Sequence, residues 1–235
     1  MKKLIVILIV LVSVILLSMK NVNSDTRSLS IETTSYNGIE LTVLTIKKNS
    51  MDFSVVTKNP TKNDFYMNSN FFTPSVHPIG EVICNGKKIN GRINSGGFFY
   101  TKNGQPMISM GSRPKGVKNC SQTNYIGIIN GKVNKGTTNR GVNKQKAYRT
   151  LIGKNSNGDL VVIVSGRFGM ISMGDISKFG ITKGIKFGLI FDGGSSVDVG
   201  VSGNGGSYSF KSVPGIGKSL AGIPEPPVYI VGNFK

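Results

Sequence analysis

The sequence predicts an α+β fold: a single domain with a twisted, mainly antiparallel β-sheet core and few helices. Three observations carry that expectation. Short runs rich in β-branched and aromatic residues recur along most of the chain, and Asn-Gly pairs of the kind that close hairpins punctuate them. Only one segment, from Ser172 to about Lys183, places apolar residues at helical spacing (Met173, Ile176, Phe179). No linker or repeat divides the chain, and from Asp25 onward it is long enough for one well-buried core.

The first residues read as a targeting segment. Lys2 and Lys3 precede the apolar run Leu4–Leu17, and Val22-Asn23-Ser24 offers small or apolar residues where a signal peptide is cut. The run falls short of the roughly 20 residues that span a bilayer comfortably. The expected organisation is therefore a signal peptide over 1–24, a flexible polar lead-in over 25–35 and a folded domain over 36–235. An uncleaved N-terminal anchor is the alternative, because Lys20 is unusual in a cleavage region. No cysteine follows the run, which argues against a lipid anchor. The protein is expected to be secreted or associated with the cell envelope.

The formal net charge is +18, and without Lys2, Lys3 and Lys20 the remainder carries +15. The lysines are spread along the chain rather than gathered in a tail. Outside a cell such a field favours anionic cell-surface polymers, acidic glycans or lipid headgroups. Nucleic acid would explain the same charge inside a cell, and export argues against it. Cys84 and Cys120 are the only cysteines, and export would permit them to pair. Their spacing, with His77 the single histidine, speaks against a structural zinc site.

Strands are expected at 41–46, 53–56 and 65–68, then around Val82-Ile83 and over 125–129. Asn85-Gly86, Asn103-Gly104 and Asn130-Gly131 supply the turns. Residues 132–146 are polar, basic and without apolar period, and read as an exposed loop. The second half is more regular: a strand over 149–153, a turn at Asn157-Gly158, a returning strand over 160–164, and the 172–183 helix. A buried strand at 187–191 follows, then a glycine- and serine-rich loop over 199–218 and a closing strand at 228–231.

The 187–191 strand ends at a single carboxylate, Asp192, followed by Gly193-Gly194-Ser195-Ser196. Sheet proteins commonly place ligand sites at strand ends. The two glycines permit a tight turn and close approach of backbone N–H groups, which with the Ser195 and Ser196 hydroxyls could hold a phosphate or sugar oxygen. The plainer reading is a strand running into an Asp-Gly turn.

Two further segments join it: Asn68-Ser69-Asn70-Phe71-Phe72, and Arg149-Thr150-Leu151-Ile152-Gly153. In this order the three resemble the phosphodiester glycosidase family, which takes in the uncovering-enzyme domain and many bacterial exported proteins. That family's pattern runs Asn-small-Gly-Phe-Phe, Arg-Thr-Ala-Ile-Gly, then an apolar strand ending Asp-Gly-Gly-Gly-Ser. Gly80, Val82-Ile83 and Asn85-Gly86 also match, and the likeness runs from about Asp64 to Ser196. Asn70 and Ser195 stand where relatives have glycine. Asn94-Ser95-Gly96-Gly97-Phe98-Phe99 is a competing copy of the first motif, but Asn103-Gly104 follows it too closely.

The resemblance implies hydrolysis of the sugar C1–phosphate bond of a sugar-1-phosphodiester, with Asp192, Arg149 and Asn68 as catalytic residues. Thr150, Gly193, Gly194, Ser195, Ser196 and Phe72 would contact substrate. The expected substrate is a cell-surface glycopolymer, exopolysaccharide or other phosphodiester-linked glycan. Chemistry agrees. Ordinary glycosidases need two carboxylates because an alcohol must be protonated as it leaves. A phosphate monoester can leave as an anion, so one carboxylate and an arginine clamp could suffice. No cofactor is expected. A divalent cation at Asp192 stays open, though no ligand cluster demands one.

Other readings stand beside these. Arg149 could pair structurally with Asp192, Asn68 could end a strand as an Asx turn, and Phe71-Phe72 fit core better than a sugar platform. His77 lies in a proline-flanked loop and could serve as an acid or base, but the pattern does not require it. Glu81 sits where relatives need no acid. The alternative function is a non-catalytic cationic envelope protein that binds anionic polymers.

Overall fold

The computed structural model describes residues 27–166, 169–213, 222 and 224–235; the expected signal peptide lies outside them. The chain opens with β1 (Leu29–Tyr36), β2 (Ile39–Ile46), β3 (Met51–Val56) and β4 (Phe65–Asn68). Next come β5 (Val82–Cys84), β6 (Lys87–Asn90), β7 (Gly97–Lys102), β8 (Gln105–Met110) and β9 (Cys120–Thr123). β10 (Tyr125–Ile129) and β11 (Lys132–Val133) precede two one-turn helices, α1 (Lys135–Thr138) and α2 (Gly141–Lys144). The hairpin β12 (Thr150–Lys154) and β13 (Leu160–Ser165) leads to α3 (Met173–Thr182) and β14 (Phe187–Ile190). β15 (Asp198–Gly203), β16 (Gly206–Lys211) and β17 (Tyr229–Phe234) complete the described chain.

The strands form three antiparallel sheets. The first runs β1-β2-β13-β12-β14-β10-β11, the second β16-β15-β4-β17-β3 and the third β6-β5-β9-β7-β8. Antiparallel pairing is as expected, but the helical share is smaller than an α+β label implies. Among the described residues only α3 is longer than one turn, so the fold is mostly β.

Because side chains alternate across a strand, each strand of the first sheet feeds two cores. Leu44, Ile152, Val162 and Leu189 face inward, where they meet Phe53, Phe65, Val199 and Ile230 of the second sheet and Val82 and Phe99 of the third. Leu151, Ile163 and Ile190 face the other way, onto Ile176 and Phe179 of α3. Burial on both faces explains why 160–164 is an unbroken apolar run.

The helix follows its sequence signals. The Ser172 hydroxyl accepts the Asp175 N–H at 3.1 Å and donates to the Asp175 carboxylate at 2.8 Å, closing the N-terminus. Gly180, which costs helix propensity, is where α3 meets the sheet. A Cβ there would lie 2.9 Å from Ile128 Cδ1, so the glycine lets the helix settle.

Three expectations need correction, and the cysteine pairing, which the sequence left open, is answered. Part of the assumed lead-in is β1, an edge strand paired with β2 from Leu29↔Ile46 to Tyr36↔Ile39. Its polar alternation hid it: only Leu29 is fully buried. The 132–146 loop contains β11, α1 and α2, held by polar groups rather than an apolar stripe. Asn134 accepts the Gly136 N–H and donates to the Ile126 carbonyl, and Asn143 donates to the Thr137 carbonyl. The described part of the 199–218 loop is largely the β15–β16 hairpin. Its Gly200 is demanded by Tyr66, whose ring a Cβ would meet at 2.3 Å. Cys84 and Cys120 are unpaired. Ile83 pairs with Cys120 across β5 and β9, so Cys84, one residue on, points to the opposite face.

Candidate active site

β12 and β14 pair with Leu151 opposite Ile190. Continuing that register by two residues brings Arg149 opposite Asp192, just beyond the last paired residues. The same alternation puts both on the α3 side of the first sheet, as Leu151 and Ile190 are. Tyr125, opposite Ile190 on β10, shares this side and stacks on Phe71 with ring centroids 4.8 Å apart. The site thus gathers where β14 ends and β10 and β12 begin.

Arg149 is only 7% exposed. Its Nη2 reaches the Gln145 carbonyl at 3.3 Å, while Nε is buried without a partner. Burial lowers its pKa, against which the Tyr125 hydroxyl and the Asp192 carboxylate act to raise it. A guanidinium remains charged regardless. A buried cation with an unused donor beside a carboxylate is high in energy unless an acceptor arrives, and a phosphate oxygen has the geometry a guanidinium fork prefers.

The turn after β14 is fixed by backbone and by Asn68. The Asp192 N–H donates to the Ser69 carbonyl at 3.0 Å, and the Gly194 N–H to the Tyr148 carbonyl at 2.8 Å. Asn68 Nδ2 donates to the Asp192 carbonyl at 2.8 Å, and its Oδ1 accepts the Asp198 N–H at 3.0 Å. Gly193 lies under Arg149: a Cβ would stand 2.4 Å from the Tyr148 carbonyl oxygen and 3.5 Å from Arg149 Nη1. Gly194 has φ +63°, so the second glycine supplies left-handed backbone. Ser195 has no positive φ, and it stands in place of a glycine without strain.

The expected residues therefore divide. Asp192, Gly193, Gly194 and Ser195 are half-buried around the turn, and Arg149 lies against them. Asn68 is wholly buried with both ends of its amide engaged, so it braces the turn and offers no face to solvent. Thr150 points to the opposite side of the sheet, with its hydroxyl buried and unpartnered. Ser196 is buried, its N–H donating to the Gly193 carbonyl. Phe72 bridges Pro78, and its neighbour Phe71 is the ring that joins Tyr125. His77 lies exposed in the 73–78 loop. Glu81 is held by Arg113. Among the described residues no three His, Cys, Asp or Glu side chains could hold a metal ion.

Tyr125 and the Gln145 carbonyl were not singled out by sequence. Tyr125 sits in an ordinary strand pattern, and only the β10–β14 pairing sets it beside Arg149. Asn70, the other departure from the family pattern, has no positive φ. Its amide donates to the Ile79 and Gln122 carbonyls at 3.1 and 2.7 Å, so it ties the segment after β4 to β9.

Asn68→Ala should cost about 2–4 kcal/mol, because two buried backbone groups lose their partners, and should lower any activity that depends on the Asp192 turn. Thermal melts of the variant beside the parent check this; an unchanged midpoint would mean that the two bonds do not matter to stability.

The phosphodiester glycosidase family model matches residues 61–218. Among solved structures, the chain is similar to the catalytic domain of zebrafish N-acetylglucosamine-1-phosphodiester alpha-N-acetylglucosaminidase, auto-inhibited by its pro-peptide. That match has 13% identity and a TM-score of 0.66, covering 91% of this chain and 86% of that one. A hypothetical protein from Synechocystis aligns with a TM-score of 0.63 at 13% identity, over 88% and 62% of the two chains. A Burkholderia pseudomallei protein described as exported aligns at 0.53 and 9%, over 83% and 74%. No curated protein matches the chain in sequence. The matched region contains all three motifs, from Asn68 through Arg149 to Ser196, and on that ground the chain belongs to the phosphodiester glycosidase family.

Proposed function

We propose that this protein hydrolyses the bond between a sugar's anomeric carbon and a phosphodiester, outside the cell, on a cell-surface glycopolymer or a similar phosphodiester-linked glycan. The observation that carries this reading is Arg149, a buried guanidinium with an unpartnered Nε, whose Nη1 lies against Gly193 in the turn that bears Asp192. Arg149 takes the phosphate oxygens. Asp192 either attacks C1 or removes a proton from the attacking water. The C1–O bond breaks, its electron pair leaves with the phosphate monoester, and water supplies the new hydroxyl at C1. Asn68 positions Asp192 through the backbone rather than touching substrate. Tyr125 and Phe71 offer an aromatic wall beside the cation, and Ser195 a hydroxyl at the open edge.

The surplus of lysine fits the same setting, since it would hold the protein at anionic polymer. A panel of sugar-1-phosphodiesters, scored for release of reducing sugar and phosphate monoester, tests the reaction. At least one member should turn over. Salt-sensitive binding to anionic polymer with no turnover on any member would leave a cationic binding protein instead.

A further inference from the structure

A cavity of about 480 Å³ lies away from the Asp192 turn, between the β7–β8 turn and the 114–119 loop. It shares no residue with the site described above. β7 begins at Gly97, whose Cβ would meet Leu189 of β14, and ends at Lys102 on the cavity wall. Five residues of strand put Lys102 roughly 16 Å from Gly97 along β7.

Phe53, Tyr100 and Val117 give the cavity an apolar floor, and Lys102, Lys115 and Lys118 stand around it. All three lysines are exposed, and among the described residues none has a carboxylate within ion-pair distance. The lining contains no acid. Asp52, next to the Gly104 turn, is paired with Lys235 at 3.1 Å. The local charge is therefore uncompensated and positive.

The walls are pinned from both ends. Arg113, at the head of the 114–119 loop, makes a two-pronged bond to buried Glu81 at 2.8 Å through Nε and Nη2, and Nη1 donates to the Pro114 carbonyl. At the other end the Asn119 side chain accepts N–H groups of Val55 and Asn85, and the Gly86 N–H donates to the Lys118 carbonyl. Across the cavity the Phe53 N–H donates to the Gly104 carbonyl at 2.7 Å. Buried ion pairs contribute little net stability but fix geometry, and here the geometry fixed is a cavity wall. A preformed apolar concavity with a few convergent polar groups is what a small-ligand site requires.

We propose that this cavity is a second binding site for an anionic saccharide, a pyranose carrying a phosphate or a carboxylate, whose apolar ring face rests on Tyr100 and Val117 while its charge meets the lysines. The choice of a saccharide over another organic anion rests on the glycosidase reading; the anion rests on the cavity alone. Glu81, which no sequence reasoning gave a role, acts here as the anchor of the loop.

The test is a titration of the 15N-labelled protein followed at the Gly104 and Gly116 amides, which lie on the two walls. Glucose 6-phosphate, glucuronate, methyl glucoside and inorganic phosphate serve as probes. Saturable shifts at both amides with either sugar anion are expected, and which of them binds tells whether phosphate or carboxylate is the charge preferred. Lys102→Glu with Lys118→Glu should weaken that binding at least about tenfold. The Lys→Gln pair repeats the test should the charge reversals fail to fold. Inorganic phosphate or methyl glucoside binding as tightly as the sugar anions would overturn the proposal, as would unmoved amides. The readout is binding, so shifts in a protein that turns over no phosphodiester would sink the reaction and leave the cavity's anion site in place.

Discussion

Asp192→Asn is expected to lower turnover of a sugar-1-phosphodiester by about 10²–10⁴-fold, the range for loss of a general base, or by more if the carboxylate is the nucleophile. The fold should barely respond. Two backbone bonds that hold the Asp192 turn, the N–H to Ser69 and the carbonyl to Asn68, are left intact by the substitution. The half-buried side chain keeps its shape and loses only its charge. A fall in kcat with an unchanged melting curve is therefore the expected pair of results. Parental turnover in the folded variant would remove Asp192 from the reaction. Burst kinetics of the parent, with sugar retained on the protein while the phosphate monoester appears, would separate a nucleophile from a base.

Sequence periodicity found the strands whose side chains pack on one or two apolar cores. Ile39–Ile46, Leu160–Ser165 and Phe187–Ile190 lie within a residue or two of where alternation and β-branching put them. It missed segments held by polar groups or by shape. β1 is an edge strand with little burial, and α1 and α2 stand on asparagine side chains. β15 carries glycines because Tyr66 occupies the space. The site divides in the same way. Residue types and the three-motif pattern named Asp192 and Arg149, and the β12–β14 register, continued by two residues, brings them opposite one another. The direction of each side chain depends on register, which a string of residues does not carry. Thr150 therefore turns away from the position that its motif would suggest, while Tyr125 joins without a motif.

Arg149→Lys is the sharper probe of substrate class. Lysine keeps one positive charge but loses the planar fork, so two donors can no longer lie along two phosphate oxygens. Turnover of a sugar-1-phosphodiester should fall roughly 10–100-fold, the worth of a charge-assisted hydrogen bond expressed in the rate. A neutral aryl glycoside of the same sugar presents no phosphate, and any activity on it should change much less. The variant should also acquire a pH dependence that the parent lacks. Burial at this position lowers the pKa of the cation it holds. A guanidinium stays charged through that penalty, whereas an ammonium does not always do so. The charged form of the substituted lysine is favoured as pH falls, so the deficit relative to the parent should shrink toward acid pH and grow as pH rises through the depressed pKa. Rates for parent and variant on both substrates, from mildly acid to mildly alkaline pH, decide the matter. An equal loss on the aryl glycoside would show that Arg149 shapes the site without holding phosphate, and a pH-independent deficit would show that geometry alone distinguishes the two cations.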